Sequence, residues 1–143
     1  MLSDAELDRY ARQIILPAFG GAGQAKLKAA HVAVIGAGGI GCPAITYLSA
    51  AGVGKLTIID DDVVELSKLQ RQPLFTDADI GASKAAVASA AARRDNPHGD
   101  SVRMAPRLGH GNAAALLGGA SPAIGGRANS VTPPARHPAV GER

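Results

Sequence analysis

Residues 31–60 read HVAVIGAGGIGCPAITYLSAAGVGKLTIID, and this stretch decides the fold class. The apolar runs at 31–36 and 55–60 are typical of strands buried on both faces of a parallel sheet. Residues 39–51, between them, have helical composition. A strand, a helix and a second strand within about 30 residues form a βαβ unit. We therefore predict an α/β protein with a Rossmann-like parallel sheet, although the chain is too short to complete one.

Four glycines separate the first predicted strand from the helix. Gly36, Gly38 and Gly41 fit the pattern G-x-G-x-x-G, and Gly39 lies within it. Such glycines allow a tight turn and let backbone N–H groups approach a phosphate at the positive end of the helix. Asp60 ends the second strand, where a carboxylate can accept hydrogen bonds from ribose hydroxyls. The combination predicts a nucleotide site, whereas close packing of strand on helix would be enough to explain the glycines alone.

Asp61 and Asp62 extend this acidic position to a triplet. For Asp61 we favour a solvated loop. For Asp62 a solvated loop and a supporting role beside phosphates or a metal are equally good interpretations. A nicotinamide-dependent dehydrogenase also explains residues 36–60, so the class of nucleotide stays open at this point.

Helices are predicted on both sides of the βαβ unit. Residues 3–16 open with the capping-box pattern Ser3-x-x-Glu6, and Pro17 follows them. Short helical patterns occupy 23–30 and the alanine-rich stretch 81–94.

The sheet is expected to continue only briefly after these elements. Residues 102–106 suggest a third strand and 112–117 one or two helical turns. From 118 to 143 the chain is rich in Gly, Pro and Arg and poor in branched aliphatics, which predicts a disordered tail with no strand in it. We therefore expect one domain over residues 1–117, followed by this tail.

Composition excludes several classes of protein. The chain has 143 residues, 46% of them hydrophobic and 19% charged, which suits a globular domain. Its net charge of +3 arises from residues 99–143, which contain no Phe, Tyr or Trp, so we do not expect nucleic-acid binding. The uncharged stretch 32–54 is interrupted by glycines and Pro43, so we expect no membrane span, and no signal peptide is visible. With Cys42 as its single cysteine the chain has no disulfide, and we expect a cytoplasmic protein.

Five motifs in order along the chain resemble one family. They are RYARQ at 9–13, GAGGIG at 36–41, DDD at 60–62, LSKLQRQ at 66–72 and GASKA at 81–85. The pattern is similar to that of the ThiF-type adenylyltransferases, which include the sulfur-carrier activating enzymes of thiamine and molybdopterin biosynthesis and are related to the ubiquitin-activating enzymes. The resemblance implies that ATP and Mg²⁺ are used to adenylate the C-terminal glycine of a ubiquitin-like sulfur-carrier protein.

The resemblance also implies roles for individual side chains. Attack at the α-phosphate needs cations that hold the phosphates and stabilise the leaving pyrophosphate, which Arg71 and Lys84 would supply. Gln72 would contact the nucleotide beside Arg71. Asp60 would hold the ribose, and Gly38 and Gly39 would let the phosphates pass close to the backbone.

Arg12 matches a family arginine that reaches the ATP of a partner subunit, which implies a homodimer. From the residues alone, an arginine on an amphipathic helix is more often a solvated charge. The same holds for Arg71 in a polar loop and for Lys84 on an alanine-rich helix. Cys42 is expected to be a small core residue.

The chain also departs from the family pattern. Lys68 replaces the usual asparagine, and Pro73 removes an N–H beside Gln72. The strand and metal-binding aspartate expected after Leu117 are not recognisable, and no aspartate follows Asp100. This pattern suggests a truncated or frameshifted copy of an adenylyltransferase. The alternatives are a nicotinamide-dependent oxidoreductase and a non-catalytic nucleotide-binding remnant.

Overall fold

A computed structural model of the chain describes residues 1–105, 111–117, 119–120 and 122–125. All candidate site residues lie within these ranges. Residues 118, 121 and 126–143, which belong to the tail predicted to be disordered, lie outside the described residues. Pro106, at the end of the third predicted strand, also lies outside them.

Four parallel strands form the sheet. They are β1 (His31–Ile35), β2 (Lys55–Ile59), β3 (Asp100–Met104) and β4 (Ala123–Gly125), in the spatial order β3-β2-β1-β4. Val34 of β1 lies opposite Ile58 on one side and Ile124 on the other. The Rossmann-like parallel sheet predicted from residues 31–60 is therefore confirmed.

Six α-helices and two 3-10 helices connect or precede these strands in the described residues. The α-helices are α1 (Asp4–Arg9), α2 (Ala11–Ile14), α3 (Gly20–Ala29), α4 (Gly41–Ala51), α5 (Lys84–Asp95) and α6 (Ala113–Leu117), and the 3-10 helices are Leu66–Arg71 and Asp77–Asp79. Helix α4 packs on α5 and on β1, while α5 covers β2 and β3. Small side chains such as Ala85, Ala88 and Ala92 allow α5 to lie close to the apolar core.

The predicted helix at 3–16 is two helices rather than one. The capping box is present, since the Glu6 N–H donates to Ser3 Oγ at 3.3 Å and the Ser3 N–H donates to Glu6 Oε2 at 2.7 Å. The break comes at Tyr10, whose backbone is not helical and whose buried hydroxyl donates to Asn96 Oδ1 at 2.9 Å. A contact with a residue 86 positions away thus interrupts the local helical pattern.

The prediction that no strand follows Leu117 is wrong at Ala123–Gly125. This β4 segment pairs with the edge of β1 that β2 leaves open, and Ile124 packs against the core. Three residues with one branched aliphatic are too few for composition or periodicity to reveal. Within the described residues, no helix is long and apolar enough to cross a membrane. The uncharged stretch 32–54 is instead divided among β1, the glycine loop, α4 and the turn before β2.

Candidate nucleotide site

The glycine loop, residues 36–41, joins the carboxyl end of β1 to the amino end of α4. Gly36 has φ of +93°, a conformation that disfavours other residues, and its N–H donates to the Ile59 carbonyl at 2.8 Å. A Cβ built on Gly41 would lie 1.8 Å from the Gly36 carbonyl oxygen. Gly36 and Gly41 are therefore needed to let the backbone fold back on itself, and their predicted contact with a nucleotide stays a prediction.

Gly38 and Gly39 form the outer part of this loop. Gly38 is half-buried and Gly39 exposed, and their positions lie just before the first turn of the 11-residue helix α4. A Cβ on Gly39 would lie 3.6 Å from the Arg71 carbonyl oxygen and 3.8 Å from Arg71 Cδ. Arg71 thus lies beside the open part of the loop, where α4 directs its positive end.

Asp60 holds the glycine loop in place. Its Oδ2 accepts a hydrogen bond from the Ala37 N–H at 2.7 Å, and its Oδ1 accepts one from the Asp62 N–H at 2.8 Å. Only 4% of the residue is exposed. The sequence predicted a ribose-binding carboxylate but not this anchoring role. The signal available was the position of the acid at the end of β2, directly beside the end of β1.

The segment that follows Asp60 holds Lys84 beside Asp62. Val63 and Ser83 form an antiparallel bridge, and the Lys84 N–H donates to the Asp62 carbonyl at 3.0 Å. The Lys84 ammonium lies 3.9 Å from Asp62 Oδ2, although its side chain is only 3% exposed. Lys84 is therefore a buried cation whose paired carboxylate oxygen, Asp62 Oδ2, lies beyond hydrogen-bond length.

Gln72 is also buried, with 3% of the residue exposed. Its side-chain oxygen Oε1 has no hydrogen-bond partner among the described residues. An unsatisfied buried acceptor costs about 1–3 kcal/mol, so a ligand hydroxyl or amino group that donates to it is favoured. A nucleotide carries such donors on its ribose and on its base, whereas an ionised phosphate carries none.

The acidic triplet brings three carboxylates together. One oxygen from each of Asp60, Asp61 and Asp62 lies within 4.8 Å of the others, with Asp60 buried and the other two exposed. Asp60 uses its oxygens to hold backbone amides, and Asp62 lies beside Lys84.

Two other residues singled out from the sequence lie apart from this arrangement. Arg12 is exposed on α2, and in the part of the chain that the structure describes no hydrogen bond or ion pair joins it to the glycine loop. Cys42 is buried at the start of α4 with its Sγ 3.5 Å from the Ala37 carbonyl oxygen, and burial raises the pKa of the thiol. Cys42 is thus a core residue, as predicted.

Residues 10–123 match the profile of the ThiF family. The chain belongs to this family. The ThiF match ends at Ala123, the first residue of β4.

Curated members of the ThiF family resemble the chain over most of its length. It is 42% identical over 131 residues to the SAMP-activating enzyme E1 of Haloferax volcanii, covering 92% of this chain and 48% of that protein. It is 48% identical over 120 residues to the molybdopterin-synthase adenylyltransferase of Salmonella typhimurium, covering 84% and 48%. The chain thus spans about half the length of these curated relatives.

Solved ThiF-like structures share the fold. The tRNA N6-threonylcarbamoyladenosine dehydratase TcdA of Escherichia coli, solved in complex with ATP, superposes with a TM-score of 0.82 at 28% identity. The match covers 89% of this chain and 52% of that one. In this ThiF chain the buried ammonium of Lys84 can pair with an anion, and the unpartnered Gln72 oxygen can accept a hydrogen bond from a hydroxyl or an amine.

Proposed function

We propose that this chain binds ATP and forms the nucleotide-binding part of an adenylyltransferase that activates the C-terminal glycine of a ubiquitin-like sulfur-carrier protein. The observation that carries the proposal is the double hydrogen bond of Asp60. It joins the glycine loop to the segment that positions Lys84, so that a loop suited to phosphates and a buried cation belong to one unit. The ThiF family match and the adenylyltransferases among its relatives support the choice of reaction.

In this reaction a carboxylate oxygen of the carrier protein bonds to the α-phosphorus of ATP. The bond from that phosphorus to the bridging oxygen breaks, and pyrophosphate leaves with the electron pair. Arg71 and Lys84 would hold the phosphates and stabilise the charge that develops on the leaving group. Mg²⁺ would enter with ATP and neutralise part of the same charge; its use by this chain stays a prediction.

The remaining roles concern the nucleoside and the path of the phosphates. Gly38 and Gly39 would let the phosphates pass close to the backbone of the loop, and Gln72 would accept a hydrogen bond from the nucleotide through its unpartnered oxygen. Asp60 would accept from the ribose with lone pairs that its two backbone bonds leave available. Asp62 would support Lys84 rather than a metal.

The proposal includes a homodimer in which Arg12 reaches the nucleotide of the partner subunit. Arg12 is exposed, and Ile15 and Leu16, three and four residues after it, are 75% and 54% exposed. Large apolar side chains beside an arginine are typical of a surface that another subunit covers. A role in molybdopterin or thiamine biosynthesis and a cytoplasmic location belong to the same proposal.

Calorimetric titration of the purified chain with ATP and Mg²⁺, with NAD, and with adenosine tests the proposal. We expect ATP to bind and NAD not to bind. Arg71→Ala and Lys84→Ala should each weaken ATP binding about ten- to a hundredfold, the value of one charge-assisted contact, and leave adenosine binding nearly unchanged. Lys26→Ala, an exposed lysine on α3, is the matched control and should change neither.

Two results would contradict the proposal. Tighter binding of NAD than of ATP would favour the nicotinamide-dependent oxidoreductase instead. Equal effects of Arg71→Ala on ATP and adenosine, with the variant still folded by circular dichroism, would show that the phosphates lie elsewhere.

A further inference from the structure

Lys68 shares one face of the Leu66–Arg71 3-10 helix with Arg71. Side chains three residues apart eclipse each other in a 3-10 helix, so these two cations point to the same side. The side chain of Arg71 lies against Gly39 of the glycine loop. The face that carries Lys68 is therefore turned toward the proposed phosphate position.

Glu65, the residue just before this helix, is paired with Lys68. The Lys68 ammonium donates to Glu65 Oε1 at 2.8 Å, and the two side chains are 28% and 49% exposed. Ion pairs with this exposure are weak, typically about 0–1 kcal/mol. A more highly charged anion can therefore replace the Glu65 carboxylate at little cost.

Lys68 interacts electrostatically with charged residues that are assigned to the proposed nucleotide site. The hydrogen bond to Glu65 is the main reason that the pKa of Lys68 lies above its ordinary value, Asp62 raises it further and Arg71 lowers it. Lys84 in turn contributes to lowering the pKa of Glu65. Lys68 thus lies within electrostatic range of Arg71, of Asp62 and, through Glu65, of Lys84.

We propose that Lys68 is a third phosphate-binding cation of this chain, and that Glu65 occupies it until the phosphates of ATP displace the carboxylate. The inference rests on the proposed ATP binding and adds to it a residue that determines affinity. ATP carries about four negative charges, so its exchange for one half-exposed carboxylate is favourable. A lysine at this position supplies a charge that a neutral side chain cannot.

Titration calorimetry with ATP and with adenosine on four variants tests this inference. Lys68→Asn should weaken ATP binding about tenfold and leave adenosine binding unchanged, and Lys68→Arg should retain most of the ATP affinity. Glu65→Gln should tighten ATP binding about two- to fivefold, because the competing carboxylate is gone. In the double variant Glu65→Gln with Lys68→Asn, this gain should disappear.

The double variant separates release of Lys68 from a general effect of removing a negative charge. Lys26→Asn on α3 is the matched control, and thermal melting confirms that each variant is folded. If Lys68→Asn leaves ATP affinity unchanged while Arg71→Ala lowers it, or if Glu65→Gln still tightens binding in the Lys68→Asn background, the inference is wrong and the proposed nucleotide site stands. If the unmodified chain binds no ATP, the proposed function fails, and this inference with it.

Discussion

Asp60→Asn is expected to destabilise the protein even when no nucleotide is present. The carboxylate accepts two backbone hydrogen bonds, from the Ala37 N–H and from the Asp62 N–H, and the residue is 4% exposed. An asparagine side chain has one oxygen and an amino group in place of the two oxygens. It can accept only one of these bonds well, and its amino group then faces an N–H donor.

The size of the effect follows from these two bonds. Leaving one N–H unsatisfied costs about 1–3 kcal/mol, and the remaining bond loses its charge assistance, about 1 kcal/mol more. A total of about 2–4 kcal/mol corresponds to a fall in Tm of about 4–16 °C for a chain of this size. Asp8→Asn, at an exposed position on α1, is the matched control and should change stability by less than about 0.5 kcal/mol.

Thermal melting of both variants without nucleotide measures the difference. Hydrogen exchange of the Ala37 amide gives a second readout, because this amide should exchange faster in Asp60→Asn than in the parent protein. Equal Tm values for Asp60→Asn and Asp8→Asn, together with an Ala37 amide that stays protected, would refute the anchoring role.

Three further predictions concern packing, pH and catalysis. Gly41→Ala should lower the free energy of urea unfolding by about 1–3 kcal/mol or more, because its Cβ would lie 1.8 Å from a backbone oxygen. The control Gly21→Ala in α3 should not destabilise the chain, because its Cβ meets nothing within 4 Å. Similar urea midpoints for the two variants would contradict this prediction. Hydrogen bonds from the Lys28 ammonium and from the Ser3 N–H lower the pKa of Glu6 from 4.5 to about 2. The stability that the ionised carboxylate contributes is therefore complete above pH 4.5 and is lost as the pH falls toward 2. The stability difference from Glu6→Gln should shrink between about pH 5 and pH 2, and a constant difference would argue against these contacts. Carrier-dependent exchange of labelled pyrophosphate into ATP by residues 1–143 alone should be about a thousandfold or more slower than exchange by a full-length adenylyltransferase. No aspartate that could hold Mg²⁺ follows Asp100 in these residues, and a leaving pyrophosphate without that metal ion loses several kcal/mol of stabilisation. Exchange at a normal rate would show that residues after 117 supply a substitute.

Residues 31–60 could be predicted well because their signals are local. Two apolar runs and the glycines between them determine strands and a turn whatever the rest of the chain does. Each strand ends one residue earlier than predicted, at Ile35 and Ile59, and the start of the helix differs by two residues. Helix α4 begins at Gly41 rather than at 39, since Gly38 and Gly39 are used in the loop. A helical composition cannot show which of its first residues the turn requires.

The features that could not be predicted depend on contacts between distant parts of the chain. Tyr10 interrupts the N-terminal helix because its hydroxyl reaches Asn96, and β4 exists because β1 offers an open edge. The burial of Gln72 without a partner for its oxygen is likewise a result of packing. None of these has a periodicity or a composition that marks it in the sequence.

Asp60 shows why the position of a site residue does not settle its role. The end of β2 is where a ribose-binding carboxylate is expected, yet the same carboxylate holds the loop that would receive the phosphates. A substitution at Asp60 therefore alters the loop and any ribose contact together, and weaker ATP binding would follow from either cause. Changing the ligand separates them, because replacing ATP by its 2′-deoxy or 3′-deoxy form removes one ribose hydroxyl and leaves both backbone bonds of Asp60 intact. A loss of affinity with either deoxynucleotide, in the unmodified chain, isolates the ribose contact from the anchoring of the glycine loop.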